Sequence, residues 1–459
     1  MEEKVFDLII IGGGPGGYHL AEQAAKQGKN VAIIEKDKFG GTCVNVGCIP
    51  SKAFLHVEQV VTEANESAHM GIVTKDKVTI DQKQVVAFKN EKVAFLSAGA
   101  KAGVKKSGAH IYEGYGTILK TNQQGEFRVQ VNKEILIGKH LIIATGSNVF
   151  VPPIEGVREA YEAGTAVTST EALSLEEIPK ELVVIGAGVI GLELGSYFAG
   201  VGSKVTIVEL GKKIAGATDT EISASLKKAL ENKGITFLLN SSVKAINHDY
   251  CVIIDQDKKE NKISFTKVLV AAGRKPYIAN LGLENINLFV ERGAIVTDEH
   301  LKTNVPGVYA IGDVNGKLML AHTAFREADV VLDNLNGKNT EINYDKIPVV
   351  IYGTPEVAEI GITEDKAKEQ NINVEIKKMS MLYSGRFVIE EAKFDGLIKV
   401  IIKKDSEEII GMSIFGSYAS EIIVAGSILV GKRFSKDQLK EVVFAHPTVA
   451  EIIKDCVFS

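Results

Sequence analysis

Twice in this chain a short apolar run ends in a glycine cluster, a helical pattern follows, and a second apolar run closes on a glutamate. The first copy runs from Val5 to Ile11 through Gly12-Gly13-Gly14-Pro15-Gly16-Gly17 and an amphipathic stretch to about Gln27, then from Asn30 to Glu35. The second occupies Glu181 to Glu209, with Gly186-Ala187-Gly188-Val189-Ile190-Gly191 at the same place in the order. Strand, tight turn, helix and strand in that order is a βαβ unit, whose parallel strands are covered on both faces. The chain is therefore expected to be an α/β protein with two Rossmann-like dinucleotide-binding domains in tandem. Each glycine answers a physical demand. Gly12 and Gly186 make the turn, Gly14 and Gly188 let a pyrophosphate approach the backbone, and Gly17 and Gly191 bring helix and strand together. The phosphates then meet a helix N-terminus. Glu35 and Glu209 end the second strands, where a carboxylate accepts hydrogen bonds from ribose hydroxyls. A carboxylate at Glu209 repels a 2′-phosphate and favours NAD over NADP, although Lys212 and Lys213 stand close enough in sequence to pair with such a phosphate.

At 459 residues the chain exceeds one ordinary core, and two to four domains are expected. Between the two units, Lys83 to Ala102 has a helical pattern, whereas Ile111 to Ile137 alternates and breaks at Gly114, Gly116 and Gly125 like antiparallel strands. Val149 to Gly156, with Pro152 and Pro153, is a plausible crossing between domains. From Ile347 onward, strands (349–352, 397–403, 409–415) mix with helices (364–370, 419–431, 449–455), the pattern of a final α+β domain. A net charge of −5, with no Lys/Arg block interleaved with aromatics, argues against nucleic acid as a partner. No stretch approaches the ~20 apolar residues of a membrane span, and the apolar run after Lys4 is too short for a secretion signal. No membrane association is expected, and a cytoplasmic location is.

Four cysteines are too few for a disulfide framework, so a close pair among them points to catalysis or metal binding. The pair is Cys43 and Cys48, set in Gly40-Gly41-Thr42-Cys43-Val44-Asn45-Val46-Gly47-Cys48-Ile49-Pro50-Ser51-Lys52. Residues five apart on an ideal helix have Cα atoms roughly 8 to 9 Å apart, beyond the roughly 7 Å that a disulfide spans. The segment must then be distorted if the two are to bond, and Gly47 permits it. A regular helix is expected to start near Cys48, putting that sulfur at a helix N-terminus where a thiolate is favoured, with Lys52 one turn further on the same face. A zinc site would need two more ligands and the neighbourhood offers only His56, so no metal is expected; two buried, unpaired cysteines are the plainer alternative. Cys251 and Cys456 lack any such setting and are expected in the core or an interface.

This cysteine segment resembles the active-site signature of the class I pyridine nucleotide-disulfide oxidoreductases. Further segments that resemble the family cover nearly the whole chain: 144–147, 272–276, 308–313, 320–322, 354–356 and 446–448. Within the family the chain is most similar to the dihydrolipoamide dehydrogenases. The resemblance implies FAD and NAD as cofactors and four segments: an FAD-binding domain (1–147), an NAD-binding domain (148–270), a return segment completing the FAD domain (271–345) and an interface domain (346–459). It implies that Cys43 exchanges with substrate while Cys48 lies against the flavin, that Lys52 sits near the flavin's reactive edge paired with Glu193, and that Asp313 bonds the ribityl chain. Gly116, Thr145, Gly146, Ser147 and Ala321 resemble FAD contacts, and Val243 and Gly273 resemble NAD contacts, though packing explains small and apolar residues equally well.

His446 and Glu451 lie in a proline-containing turn and the helix start after it, and a histidine held by a carboxylate is what general base catalysis requires. The resemblance implies that this pair reaches into the partner subunit's active site, making an obligate homodimer with shared sites. Lipoyl domains of a 2-oxo acid dehydrogenase or glycine cleavage complex are the implied partners. Phe444, where the subfamily commonly has another histidine, and Gly416-Ser417, where glycine-proline is usual, depart from its pattern. The expected reaction is oxidation of dihydrolipoamide to lipoamide with reduction of NAD⁺. An NAD(P)H-dependent reductase of glutathione or another small disulfide is the enzymatic alternative, and a catalytically silent FAD-binding scaffold is the alternative of another class.

Overall fold

A computed structural model describes residues 3–391 and 394–459. Their contacts divide into two units: one gathers the chain up to Ala53 with Val86–Phe150 and Arg274–Tyr344, the other gathers Phe54–Val85, Val151–Gly273 and the chain from Asp345 onward.

The first unit is built on Glu3–Ile11 and Val31–Glu35, which pair in parallel with Ile10 opposite Ile33. Leu8 to Ile11 and Val31 to Ile34 are all buried, because a parallel strand covered on both faces has no polar side to show. The strand order across the sheet is His110–Glu113, Val31–Glu35, Glu3–Ile11, Glu134–Ile143, Phe127–Val131 and Gly116–Leu119. The antiparallel pattern expected for 111–137 holds from Gly116 onward, where Val129 faces Leu136. His110–Glu113 instead runs parallel beside Val31–Glu35, and Gly114, at a φ of 150°, turns the chain out before the meander begins. A late strand, Val308–Ala310, pairs with the end of Glu134–Ile143, and Val308 and Ala310 join Phe6, Ile9 and Leu136 in one core.

The second unit repeats the theme with Thr236–Leu238, Lys204–Val208, Glu181–Ile185, Lys267–Val270 and Ala166–Thr168 in a parallel sheet. From Asp345 onward the same unit carries a five-stranded antiparallel sheet, ordered Val349–Ile351, Val357–Gly361, Ile409–Phe415, Leu397–Lys403 and Val374–Ser380. Ala419–Gly431 and Ile452–Phe458 contribute Ile422, Ile423, Ile452 and Ile453 to its core. The helix expected at 449–455 opens as a 3-10 turn, Val449–Glu451, and becomes α-helical only at Ile452. Among the described residues no helix is long and apolar enough to cross a membrane.

Candidate active site

Cys43 and Cys48 are joined as a disulfide with Cα atoms 4.6 Å apart. A helical turn, Gly41–Val46, stops at Gly47, whose φ of −140° and ψ of −108° leave the helical region, and the long helix Cys48–Glu66 starts afresh at the second cysteine. Any side chain at Gly47 would press on Thr42, its Cβ lying 2.9 Å from that carbonyl oxygen. The break thus shortens the five-residue span to bonding range and places the Cys48 sulfur at a helix N-terminus, where the dipole favours a thiolate. Lys52 lies one turn further along the same helix.

The disulfide segment is docked on the first glycine loop. Gly40 N–H donates to the Gly13 carbonyl at 2.9 Å, and a Cβ on Gly41 would come within 2.8 Å of Gly14 Cα. In that loop, side chains at Gly12 and Gly17 would collide with the carbonyl oxygens of Ala144 and Gly12 respectively. At Gly14 an added Cβ meets no atom nearer than Gly41 Cα, 4.0 Å away, so open space lies there. Gly14 N-caps the helix Pro15–Lys26 without any side-chain cap, and Pro15 has no N–H to give. The first-turn N–H groups of a helix have no acceptor within it, and the open space beside Gly14 at this helix start fits a pyrophosphate. The Glu35 carboxylate accepts from Gly13 N–H at 2.6 Å and Asp37 N–H at 2.8 Å, which orients it while leaving lone pairs for ribose hydroxyls.

A polar chain runs from this cradle to the late segment. Ser147 Oγ donates to Asp313 at 2.5 Å and accepts from Arg274 Nε at 2.7 Å, and Arg274 Nη2 reaches the Ser147 carbonyl at 2.6 Å and Thr42 Oγ1 at 3.3 Å. Burial pulls the Arg274 pKa down and Asp313 opposes it. Thr145 Oγ1 donates to the Tyr277 carbonyl at 2.6 Å, and Tyr277 N–H donates to the Gly146 carbonyl at 2.9 Å. Gly116 sits against Ile11 and Ile34 at the sheet edge, and Ala321 opens the helix Ala321–Leu335. The turn carrying Asp313 is held by Glu327, fully buried, which accepts from Gly312 N–H, Asn315 and Tyr344. Sequence spacing did not mark Arg274 or Glu327 as functional; the only sign was Arg274's place in the 272–276 segment.

The second unit holds the other expected residues. Gly186, at a φ of 104°, would put a Cβ 2.6 Å from the Ala271 carbonyl oxygen, and a Cβ on Gly191 would strike the Gly186 carbonyl. Gly188 caps the helix Val189–Gly200 without a side chain and faces open space. Glu209 accepts from Ala187 N–H and Gly211 N–H, each at 2.7 Å. The two loops are alike, and both fit a dinucleotide. Lys213 donates to the Thr218 carbonyl and is thereby committed to its own loop, while Lys212 is exposed. Gly273 is open, Val243 belongs to the hydrophobic core, and Glu193 is buried, accepting from Tyr352 N–H at 3.1 Å.

In the same unit His446 Nδ1 lies 2.9 Å from Glu451 Oε1, and Glu451 Oε2 accepts from Thr448 N–H at 2.7 Å. The Thr448 N–H and then His446 lower the Glu451 pKa, so the carboxylate stays ionised. It fixes the ring through Nδ1, and Nε2 is left to handle a proton. The imidazole is 83% exposed. Cys251 and Cys456 are both buried, as expected.

A disulfide docked on one glycine loop, in a chain that carries a second glycine loop of the same design, is the outfit of a flavin- and nicotinamide-dependent disulfide oxidoreductase. Residues 6–328 match the pyridine nucleotide-disulphide oxidoreductase family and residues 347–457 match that family's dimerisation domain. The chain belongs to this family, and its cofactors are FAD and NAD. The dimerisation domain supports a homodimer. The chain is 38% identical to the mitochondrial dihydrolipoyl dehydrogenase of Pisum sativum over 99% of this chain and 91% of that one. It is 33% identical to the dihydrolipoyl dehydrogenase of Bacillus subtilis, over 99% and 98%. Among solved structures, the Cu(II) complex of the HOCl-induced flavoprotein disulfide reductase RclA from Escherichia coli superposes with a TM-score of 0.86 at 27% identity, covering 100% of this chain and 99% of that one.

Proposed function

We propose that this protein is a dihydrolipoyl dehydrogenase, oxidising dihydrolipoamide to lipoamide with NAD⁺ as the final acceptor. The observation that carries the reading is the Cys43–Cys48 disulfide docked on the first glycine loop, together with relatives of that name along the full length of the chain. His446, contributed by the partner subunit and held by Glu451, takes the proton of one substrate thiol at Nε2. The substrate thiolate attacks Cys43 Sγ, the Cys43–Cys48 bond breaks, and Cys48 leaves as a thiolate favoured by its helix N-terminus. The second substrate thiol loses its proton and attacks the substrate sulfur of the mixed disulfide, releasing lipoamide and the Cys43 thiolate. Two electrons and no atoms have then passed to the cysteine pair, and two protons have been released.

Bound FAD supplies the two-electron connection between that pair and NAD⁺. Gly12, Gly14, Gly17, Glu35, Gly116, Thr145 to Ser147, Asp313 and Ala321 would hold it, with Lys52 and Glu193 assigned to the same reaction by the family resemblance. Gly186, Gly188, Gly191, Glu209, Val243 and Gly273 would hold NAD, and Glu209 disfavours a 2′-phosphate. Lipoyl domains of 2-oxo acid dehydrogenase or glycine cleavage complexes would present the dithiol, in the cytoplasm.

A second reading, an NAD(P)H-dependent disulfide reductase, draws on the likeness to the Escherichia coli reductase and on Phe444 and Gly416-Ser417. A paired assay decides. Dihydrolipoamide with NAD⁺ is expected to turn over far faster than glutathione disulfide with NADPH, and the reverse order would overturn the proposal.

A further inference from the structure

Lys399 lies mid-strand in Leu397–Lys403 and is 1% exposed, which a lysine tolerates only where its charge is met. Its Nζ lies 2.8 Å from both oxygens of Asp219, 2.7 Å from Glu364 and 3.1 Å from Glu221. Asp219, also 1% exposed, caps the helix Thr220–Asn232 by accepting from Glu221 N–H and Ile222 N–H. Two more carboxylates from beyond residue 345 close on the same end: Glu359 accepts from Asp219 N–H at 3.0 Å and Asp365 from Thr220 N–H at 2.8 Å. The start of a nucleotide-fold helix is thus gripped by three side chains of the dimerisation domain, Lys399, Glu359 and Asp365, with Glu364 backing Lys399.

What lies between that grip and the nucleotide loop is short. The segment from Glu209 to Asp219 carries the ribose-holding carboxylate at one end and the gripped cap at the other. In its middle, Ala215 N–H donates to the carbonyl of Ala187, inside the glycine loop, at 2.9 Å. Ala215 has a φ of 59°, a left-handed conformation that an alanine adopts only under constraint. Ser223, in the first turn of the gripped helix, donates to the Ile214 carbonyl at 2.8 Å. The strained residue is therefore tied to the glycine loop on one side and to the gripped helix on the other.

We propose that Lys399 is a positioning residue for the nicotinamide dinucleotide: through Asp219 it fixes the far end of the segment 209–219, and so the placement of Glu209 and the loop 186–191. It touches no substrate, and the proposal rests on the reading that this loop holds NAD.

The test measures NADH binding to the FAD-loaded dimer by calorimetry and, separately, bleaching of the flavin by dihydrolipoamide without NAD⁺. Lys399→Met is expected to weaken NADH by about tenfold, the range in which residues outside a site shift affinity, with bleaching within about twofold of wild type. Lys399→Arg, which keeps the charge, recovers most of the affinity. Asp219→Asn still caps the helix and moves affinity in the same direction, and the double variant Lys399→Met/Asp219→Asn binds no more weakly than Lys399→Met. A folded Lys399→Met that binds NADH like wild type overturns the proposal, as does a variant that loses bleaching in step with NADH affinity. Should Lys399→Met not fold, unchanged affinity in Asp219→Asn overturns it equally. A wild-type protein that fails to bind NADH refutes the reading of the loop instead.

Discussion

Replacing either redox cysteine by serine separates chemistry from folding, because the ring the disulfide closes is small. Cys43 and Cys48 are five apart in sequence, and closing so short a loop is worth only about 2 kcal/mol of chain entropy. The docking of the segment does not use the sulfurs: the Gly40 N–H bond to Gly13, the Asn45 bonds to the Phe39 and Gly41 carbonyls and the Ser51 bond to Gly47 all survive. Cys43→Ser and Cys48→Ser should therefore stay folded and flavin-loaded, yet each should lose bleaching by dihydrolipoamide by several orders of magnitude, since no disulfide remains to accept the electrons. Titration with an aromatic disulfide reagent supplies a second, independent count. Burial pushes the thiols of Cys251 and Cys456 up to about 12, so neither reacts in the native state at mild pH. Native protein should then show no reactive thiol when oxidised and two when reduced, and either serine variant should show one. Wild-type bleaching in Cys48→Ser, or a native reduced count other than two, would refute the argument.

Glu451→Gln removes the charge that steadies His446, a charged hydrogen bond worth about 1.5–3 kcal/mol once shielded from water, so flavin bleaching by the dithiol should slow by about 10- to 100-fold while FAD content is unchanged. Gly188→Ala places a Cβ where no protein atom stands, at an ordinary φ of −77°; stability should be unaltered, whereas NADH affinity should fall because the new methyl occupies the space left for phosphate. Gly191→Ala, whose Cβ meets the Gly186 carbonyl, should lower thermal stability as well. Burial raises the Glu364 carboxyl, but hydrogen bonds from Lys368, Lys399 and Lys378 outweigh it and bring its pKa down to about 2. A depressed folded pKa gives stability present above the unfolded value near 4.5 and lost as pH falls toward 2; urea unfolding across that window should show the loss in wild type and a flatter profile in Glu364→Gln.

The glycine loops and the glutamates closing their second strands were legible because the demands they meet are local: a turn, a close approach and a strand end all lie within thirty residues. The same holds for the fresh helix at Cys48, announced by Gly47. Arg274 was not legible in this way, since it joins Ser147 and Thr42 across 127 and 232 positions of sequence, and no spacing rule reaches that far. Lys399 reads locally as a charge interrupting an apolar strand, and its explanation lies with distant carboxylates, above all Asp219, 180 residues earlier. Val374–Ser380 escaped because it is an edge strand, paired on one side only and carrying Lys377 and Lys378, so its residues show neither apolar continuity nor clean alternation.

The late strand Val308–Ala310 has a consequence for how the molecule is born. A ribosome that has delivered the disulfide helix and both partners of Glu3–Ile11 has still to translate that strand and Asp313, so the first sheet waits with an open edge while the whole second nucleotide fold emerges. With Asp313 holding the flavin as proposed, flavin capture belongs to the last third of synthesis.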